Sequence, residues 1–254
     1  MNDICSILYK DYYSSDSFTE ETSSHWKKFG KYQKITKSGN KYEAKGIGFG
    51  DFKKKSLFNS LINIPTRIFI NKFIKNCDKN IIESTKDVAN KSNRILSYDL
   101  IRQSLTIQIL KNNLDNLDKK TFCIIGDGYG SLGSILKNVF PLSKIILINL
   151  GRTLFFDVYY SQIVFPKKNH KLIRKKDDIF TNDFNYIEAE NFKKLNINAD
   201  IFINICSMQE MNYKEIHSYI KMIRNQNKET FFYCCNRISK KLPDGSIINF
   251  KDYN

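Results

Sequence analysis

The amino-acid sequence predicts an α/β protein in which a doubly wound, mostly parallel sheet follows a helical N-terminal segment. Three observations carry this prediction. Short apolar runs alternate with helical patterns after residue 120, helical patterns without strands precede them, and four glycines follow the first apolar run. Runs rich in Ile and Phe are typical of strands buried on both faces, and their alternation with helices indicates βαβ units.

Five segments are predicted to be strands because each is a short apolar run, although the third run is weaker. They are 121–125, 144–150, 184–190, 200–206 and 230–235. Helical patterns separate them at 131–139, 152–164 and 212–225. After the last strand, KLPDGSIINF (241–250) is predicted to form one hairpin through its Pro-Asp-Gly turn.

The N-terminal part of the chain begins with a polar and basic segment, residues 1–55. Its first 25 residues are Ser-rich and are expected to form a loose start. Residues 26–56 carry ten lysines against Glu43 and Asp51. The sequence GIGFG (46–50) is too rich in glycine for a helix and predicts a loop.

Residues 56–117 are predicted to be a helical cap segment. One helix should end near Pro65, the next should begin there, and a mostly buried helix should span 97–117. Residues 118–254 then form a Rossmann-like domain, in which ligands bind beyond the carboxyl ends of the strands. We expect the cap segment to cover the acceptor site of that domain.

Composition sets broad limits on the class of protein. The chain has 254 residues, of which 41% are hydrophobic, enough to bury a core. Its formal charge of +15 suits an anionic partner, but a Lys-rich composition also gives a solvated basic surface. The six cysteines lack C-x-x-C spacing and the three histidines are scattered, so no metal site is predicted. No signal peptide and no apolar run of about 18 residues is found, which predicts a cytoplasmic protein without a membrane span.

The glycine cluster after the first strand has two interpretations. GYGSLG (128–133) fits G-x-G-x-x-G, the dinucleotide-binding fingerprint, and Asn149 then stands where an acid usually holds the ribose. GDGYG (126–130) directly follows the strand and fits G-x-G-x-G. In either register, the missing side chains permit a tight turn and close approach of a ligand to the next helix.

The second register resembles motif I of class I methyltransferases that depend on S-adenosyl-L-methionine (SAM). Four phrases resemble, in order, a family of sugar O-methyltransferases from bacterial surface-polysaccharide loci: IGDGYGSLGSIL, INLGRTLFFDVYYSQIVFP, FINICSMQEMN and FYCCNRISKKLPDG. The resemblance covers about residues 120–250. It implies SAM as the cofactor, and it implies methyl transfer to a sugar hydroxyl of a surface glycan or a nucleotide-sugar.

The resemblance also implies which residues hold the cofactor. Those near its methionine moiety, ribose, adenine and methyl group would be Gly126, Asp127, Gly128, Gly130, Asn149, Leu150, Glu188 or Glu190, and Cys206. Two positions depart from the family pattern. Ile124 stands where many such enzymes have an acid, and Asn149 offers the ribose an amide, without the stronger charge-assisted bond. The chain also continues only briefly beyond its fifth predicted strand, whereas a full class I sheet has two more strands.

Methylation of a hydroxyl needs a base that removes its proton. The candidates are Glu210 and His217, which would share a helix face if 210–221 were one helix. Equally, Glu210 could decorate a helix start and His217 could be a surface residue. Asn236 and Arg237 follow the fifth strand and could bind an anionic acceptor, although a structural salt bridge would explain Arg237 as well.

Three other functions stay open at this point. The dinucleotide register would suit an NAD(P)-dependent oxidoreductase. The basic stretches 26–56 and 167–176 would suit an RNA ribose methyltransferase, because lysines can follow a phosphate backbone. A non-catalytic basic module with a degenerate nucleotide site is the third. Methylation of DNA bases fits poorly, because NICSMQEM stands where those enzymes usually carry an Asn/Asp-Pro-Pro-aromatic motif.

Overall fold

The structure is a computed structural model, and it describes residues 3–13, 22–39, 41–45, 56, 72, 74–178 and 180–253. Its helices are α1 (Asp3–Tyr13), α2 (Ser24–Phe29), α3 (Lys79–Lys91), α4 (Tyr98–Asn113), α5 (Ser131–Val139), α6 (Gly151–Val164) and α7 (Tyr213–Arg224). Its strands are β1 (Lys34–Ser38), β2 (Lys41–Lys45), β3 (Thr121–Ile125), β4 (Lys144–Asn149), β5 (His170–Leu172), β6 (Phe184–Glu188), β7 (Ile201–Ile205), β8 (Phe231–Cys235), β9 (Ser239–Lys241) and β10 (Ile247–Asn249).

Six strands form one parallel sheet in the order β5-β6-β4-β3-β7-β8. The chain passes from β3 to β4, forms the edge strand β5, and places β6 between β5 and β4. It then crosses to the other side of β3 with β7 and β8. The strand order therefore reverses between β3 and β7, which is the switch point where such sheets bind ligands. This is an α/β Rossmann-like fold, as the sequence predicts, and all five predicted strands are confirmed.

Each central strand is buried on both faces. In β3, Phe122 and Ile124 pack with α5, α6 and the N-terminal helices, whereas Cys123 and Ile125 pack with α7 and the C-terminal hairpin. Both faces are covered because helices lie on each side of a parallel sheet, so the apolar runs need no polar alternation. The short strand β5 is not predicted, since three residues carry too little periodicity to detect.

The start of the chain corrects the sequence-based expectation. Residues 3–13 form helix α1, not a loose segment, and Ile4, Cys5 and Leu8 are buried in the same core as α6. Tyr12 lies across the first turn of α6, where a Cβ on Gly151 would come within 2.0 Å of its ring. The apolar residues of α1 are stabilised by packing against α6. Because this contact joins distant parts of the chain, the local sequence does not predict the helix.

Two helices of the predicted helical cap segment fall within the described residues. α4 corresponds to the helix predicted over 97–117 and is shorter. The Ser97 hydroxyl accepts the N–H of Leu100 and caps the start of α4. α3 precedes it. The helices predicted on either side of Pro65 and the loop at 46–50 lie outside the described residues.

The C-terminal hairpin forms as predicted. β9 and β10 pair antiparallel, and Leu242 donates its N–H to Ser246 across the Pro-Asp-Gly turn at 2.8 Å. The hairpin is a separate two-stranded sheet, so β8 is the last strand of the main sheet among the described residues. No helix in the described ranges is long and apolar enough to cross a membrane.

Candidate functional site

A cavity of about 220 Å³ lies at the carboxyl ends of the central strands, beside the switch point. The loops after β3, β4, β6 and β7 line its floor, and α2 and α4 line its other side. The lining includes Gly126, Asp127, Gly128, Asn149, Leu150, Glu190, Cys206 and Glu210 from the loops, and Ser23, Trp26, Asp99 and Arg102 from the N-terminal part. Residues of both α2 and α4 therefore border the cavity.

Two of the loop glycines are required by the protein itself. Gly126 has φ +78°, and a Cβ there would lie 2.3 Å from the Ser207 hydroxyl oxygen. Gly130 has φ +60°, and a Cβ there would lie 2.6 Å from the Asp157 carbonyl oxygen. Gly130 thus packs against α6 and is not among the residues that line the cavity, and its assignment to the cofactor stays a prediction. Gly128 lines the cavity.

Asp127 closes the N-terminal end of α5. Its Oδ1 accepts the N–H of Ser131 at 2.9 Å, and its Oδ2 accepts the N–H of Gly133 at 2.9 Å. A helix N-terminus is usually a ready anion site because its first amides have no partner. Here the first amides already donate hydrogen bonds to the carboxylate of Asp127.

A second buried carboxylate, Asp157 of α6, holds the glycine loop from behind. Its Oδ1 accepts the N–H of Gly130 at 2.8 Å, and its Oδ2 accepts Nδ2 of Asn149 at 2.9 Å. Asp157 is not among the residues that the sequence predicts for the site. A usable signal was present, because a lone acid within the apolar stretch TLFFDVYY is rarely buried without a polar partner.

Burial dominates the electrostatics of this pair of acids. It raises the pKa of Asp127 to about 6, and it raises the pKa of Asp157 well above the ordinary range, with the neighbouring Asp127 adding to the shift. The Arg94 guanidinium is also buried and donates to the Ser131 hydroxyl at 2.6 Å. It contributes a nearby positive charge, but Asp127 is the acidic residue of this loop that lines the cavity.

The end of β4 supplies Asn149 and Leu150, both in the cavity lining, where the sequence places the ribose. Asn149 is directed by Asp157 on one side, and its Oδ1 accepts the N–H of Leu150 at 3.0 Å. The amide of Asn149 is therefore fixed by the protein before any ligand arrives.

The first turn of α4 meets the end of β7 in the cavity. Arg102 pairs with Asp99 and donates to the Cys206 sulfur at 3.0 Å. Cys206 adopts φ +57°, a conformation that is uncommon for a residue with a side chain. Asp99 and Arg102 were missed because they lie in a helix whose pattern indicated burial only.

Glu210 lies in the cavity lining and its side chain is partly buried. Lys240 of β9 pairs with its Oε1, and Nε2 of His25 lies 3.3 Å from its Oε2. Burial raises the pKa of Glu210, while Lys240 opposes the shift. The hydroxyl of Ser23 donates to the Glu210 carbonyl oxygen, so α2 and its N-cap are attached to this residue.

Glu188 is not among the residues that line the cavity, and its position near the adenine stays a prediction. Its carboxylate is buried and pairs with Arg174, and it accepts the Tyr12 hydroxyl at 3.0 Å. It therefore holds α1 against the sheet. Glu190, the alternative considered beside it, does line the cavity.

Three predicted acceptor-site residues also lie away from the cavity. His217 is exposed on α7, and Glu210 belongs to a separate 3-10 turn (Met208–Glu210), so the two do not share a helix. Asn236 donates to the Oδ1 of Asn204 at 2.7 Å, which is a structural contact between strand ends. The side chain of Arg237 is exposed.

The described residues include no group of three or more His, Cys, Asp or Glu side chains that could hold a metal ion. No protein-family model matches the sequence, and no curated protein matches it significantly. Two solved structures share features of the fold. One is a protein-L-isoaspartate O-methyltransferase of Plasmodium falciparum in complex with S-adenosyl-L-homocysteine, with TM-score 0.39 and 16% identity over 64% of this chain and 79% of that one.

The other is human N-acetylserotonin methyltransferase in complex with SAM, with TM-score 0.30 and 14% identity. That match covers 76% of this chain and 57% of the human protein. Both similarities are weak, so we base the functional assignment on the residues of the cavity.

Proposed function

We propose that this protein is a SAM-dependent O-methyltransferase that methylates a sugar hydroxyl of a surface glycan or a nucleotide-sugar. The observation that carries the cofactor assignment is the position of Asp127 on the N-terminal amides of α5. The sugar assignment rests on the sequence resemblance described above.

The acidic lining fits SAM, whose sulfonium and ammonium groups are both positive. Among the described residues of the lining, five carboxylates face one guanidinium, that of Arg102; they are Asp99, Asp127, Glu190, Glu210 and Glu215. Asp99, Glu210 and Glu215 are each paired with a cation, whereas Asp127 bonds to backbone amides. Opposite charges within a poorly solvated cavity attract more strongly than they do in water.

The same arrangement disfavours an NAD(P)-dependent oxidoreductase. A dinucleotide places its pyrophosphate on the free N–H groups at the start of the helix after the first strand. Here those N–H groups bond to Asp127, and a carboxylate would stand beside the pyrophosphate. The glycine register that begins at Gly126 is therefore better supported than the dinucleotide register.

When bound, SAM would supply an electrophilic methyl group, and the protein's task is to align the acceptor and remove its proton. Glu210 is the best-placed base among the candidates, because it lines the cavity and its pKa is raised by burial. A carboxylate with a raised pKa accepts a proton from a hydroxyl more readily. Lys240 then stabilises the carboxylate between turnovers.

The lining also bears on the acceptor. Trp26 of α2 and Gln103 of α4 give the cavity an aromatic and an amide surface, which suit a sugar ring. A phosphate group would meet mostly carboxylates, so an uncharged glycan sugar is favoured over a nucleotide-sugar. RNA is disfavoured as well, because Lys168, Lys171 and Arg174 of the basic stretch 167–176 are already paired with acids.

The cofactor assignment is tested by titration calorimetry of the purified protein with S-adenosyl-L-homocysteine, NADH and NADPH. We expect micromolar binding of S-adenosyl-L-homocysteine and no binding of either nicotinamide. Binding of a nicotinamide alone would overturn the proposal in favour of an oxidoreductase. Silence from all three ligands would favour a non-catalytic module.

The acceptor assignment needs a separate assay, with SAM that carries a labelled methyl group. Neutral glycans, nucleotide-sugars and structured RNA are offered in parallel, and incorporation of label is compared. We expect label in a neutral glycan. Label in RNA alone, with steep loss as salt is raised, would replace the sugar by a nucleic acid.

A further inference from the structure

At the end of β4, two side chains stand where a single acid usually binds the ribose of a cofactor. In Rossmann-like sheets, an acid at the end of the second strand binds the ribose hydroxyls. Here Asn149 occupies that position and lines the cavity, while the carboxylate of Asp157 lies behind it and is fully buried. Asn149 Nδ2 donates to Asp157 Oδ2 at 2.9 Å.

The orientation of the Asn149 amide follows from its two partners. Oδ2 of Asp157 is the acceptor for the Asn149 amide, and a backbone N–H can only donate a hydrogen bond. Asp157 therefore selects the NH₂ group of Asn149, and Leu150 N–H selects its oxygen, at 3.0 Å. The reversed amide would set NH₂ against N–H and oxygen against carboxylate, so both contacts would become repulsive.

We infer that Asp157 is a positioning residue that holds Asn149 with its oxygen available to the cavity, where it accepts a ribose hydroxyl of the cofactor. This inference rests on the proposed function. An amide oxygen has two lone pairs, and Leu150 takes one of them, so one is left for a ligand hydroxyl. The carboxyl group usually found at this site thus lies behind Asn149, within α6.

The same carboxylate connects the ribose site with the glycine loop. Asp157 Oδ1 accepts the N–H of Gly130, while its Oδ2 orients Asn149. Loss of Asp157 should therefore affect the ribose end of the cofactor through Asn149, and the loop through Gly130. Only the first effect depends on the ligand's hydroxyl groups, which makes the two roles separable by experiment.

An exchange of the two side chains provides the sharpest test. In Asp157→Asn, the one amide oxygen still accepts from Gly130, but an NH₂ group replaces Oδ2 and stands against the NH₂ group of Asn149. Asn149 therefore loses its fixed orientation. In the double variant Asn149→Asp/Asp157→Asn, the oxygen of the new amide still accepts from Gly130 and its NH₂ group donates to the new carboxylate. The polar contacts are then complete again, with the charge facing the cavity.

The measurement is the calorimetric affinity of each variant for S-adenosyl-L-homocysteine and for its analogue that lacks both ribose hydroxyls. We expect Asp157→Asn to bind S-adenosyl-L-homocysteine about tenfold more weakly, with little change for the analogue. The double variant should recover the wild-type affinity or exceed it, because a carboxylate forms a stronger bond to a hydroxyl. Thermal unfolding of each variant confirms that it is folded.

Two results would overturn the inference while leaving the proposed function intact. One is an equal loss for both ligands in Asp157→Asn, which would make Asp157 a support of the loop alone. The other is a double variant that binds S-adenosyl-L-homocysteine no better than Asp157→Asn does. If the wild-type protein itself fails to bind S-adenosyl-L-homocysteine, the proposed function and this inference fail together, and that titration alone reveals it.

Discussion

Nε2 of His25 in α2 lies 3.3 Å from Oε2 of Glu210, at the edge of the cavity. Helix α2 is only six residues long, and it is attached to the site by this contact and by the bond from Ser23 to the Glu210 carbonyl. The N-terminal segment is therefore part of the cavity wall, and the surroundings of His25 and Glu210 give the first two predictions.

The stability of the protein should depend on His25 at mildly acidic pH. Burial, assisted by the charge of Lys240, lowers the pKa of His25 to about 4. Below pH 6.5 the unfolded chain binds a proton at this residue that the folded protein does not, so the free energy of unfolding falls as the pH drops from about 6.5 towards 4. Denaturant unfolding of the wild type and His25→Gln at several pH values measures the difference.

As the pH falls, the free energy of unfolding of the wild type should decrease more than that of His25→Gln. His217→Gln, at an exposed position, supplies the matched control substitution. Parallel curves for the wild type and His25→Gln would show that His25 is not kept neutral by the fold.

Glu210→Gln should lower turnover by about 10²–10⁴-fold, because the amide cannot take a proton from the acceptor hydroxyl. Affinity for S-adenosyl-L-homocysteine should change little, since the altered group faces the acceptor. The measurement combines labelled methyl transfer with calorimetry. His217→Ala is the control and should keep full turnover. Unchanged turnover in Glu210→Gln would remove Glu210 from the catalytic role.

Gly126→Ala should destabilise the protein more than Gly245→Ala does. Both glycines have positive φ, +78° and +90°, so each substitution costs about 1–2 kcal/mol of backbone strain. A Cβ at Gly245 meets nothing within 4 Å, whereas one at Gly126 lies 2.3 Å from the Ser207 hydroxyl. Overpacking should add about 1–3 kcal/mol at Gly126 alone. Urea unfolding of both variants isolates this steric part, and equal losses would contradict it.

Asp127→Ala should lower the free energy of unfolding by about 1–2 kcal/mol, because the first-turn amides of α5 lose their acceptor. Since the pKa of Asp127 is raised to about 6, the folded protein holds a proton there more tightly than the unfolded chain. The loss should therefore be larger near pH 5 than at pH 7. Denaturant unfolding at both pH values measures it, and an Ala variant as stable as the wild type would contradict the capping role.

Local sequence determines much of the fold. β3 and α5 begin and end where the apolar run and the helical pattern predict, at 121–125 and 131–139. Their hydrophobic periodicity is a property of neighbouring residues, and the glycine turn between them is equally local. For the same reason the sequence places Gly126, Asp127 and Gly128 correctly at one strand end. Asn149 and Cys206 follow from the rule that parallel strands share a carboxyl edge.

The remaining site residues depend on contacts between distant parts of the chain. His25, Asp99 and Asp157 have no motif of their own, and each reaches the site because a helix packs beside it. Local sequence is equally silent on Glu188 and His217. Their sequence neighbours lie near the cavity, while their own side chains face Arg174 and solvent. Sequence by itself determined the sheet, its glycine turn and the strand ends. Only the tertiary structure decided which buried charges meet there, because burial and pairing are properties of the packed chain.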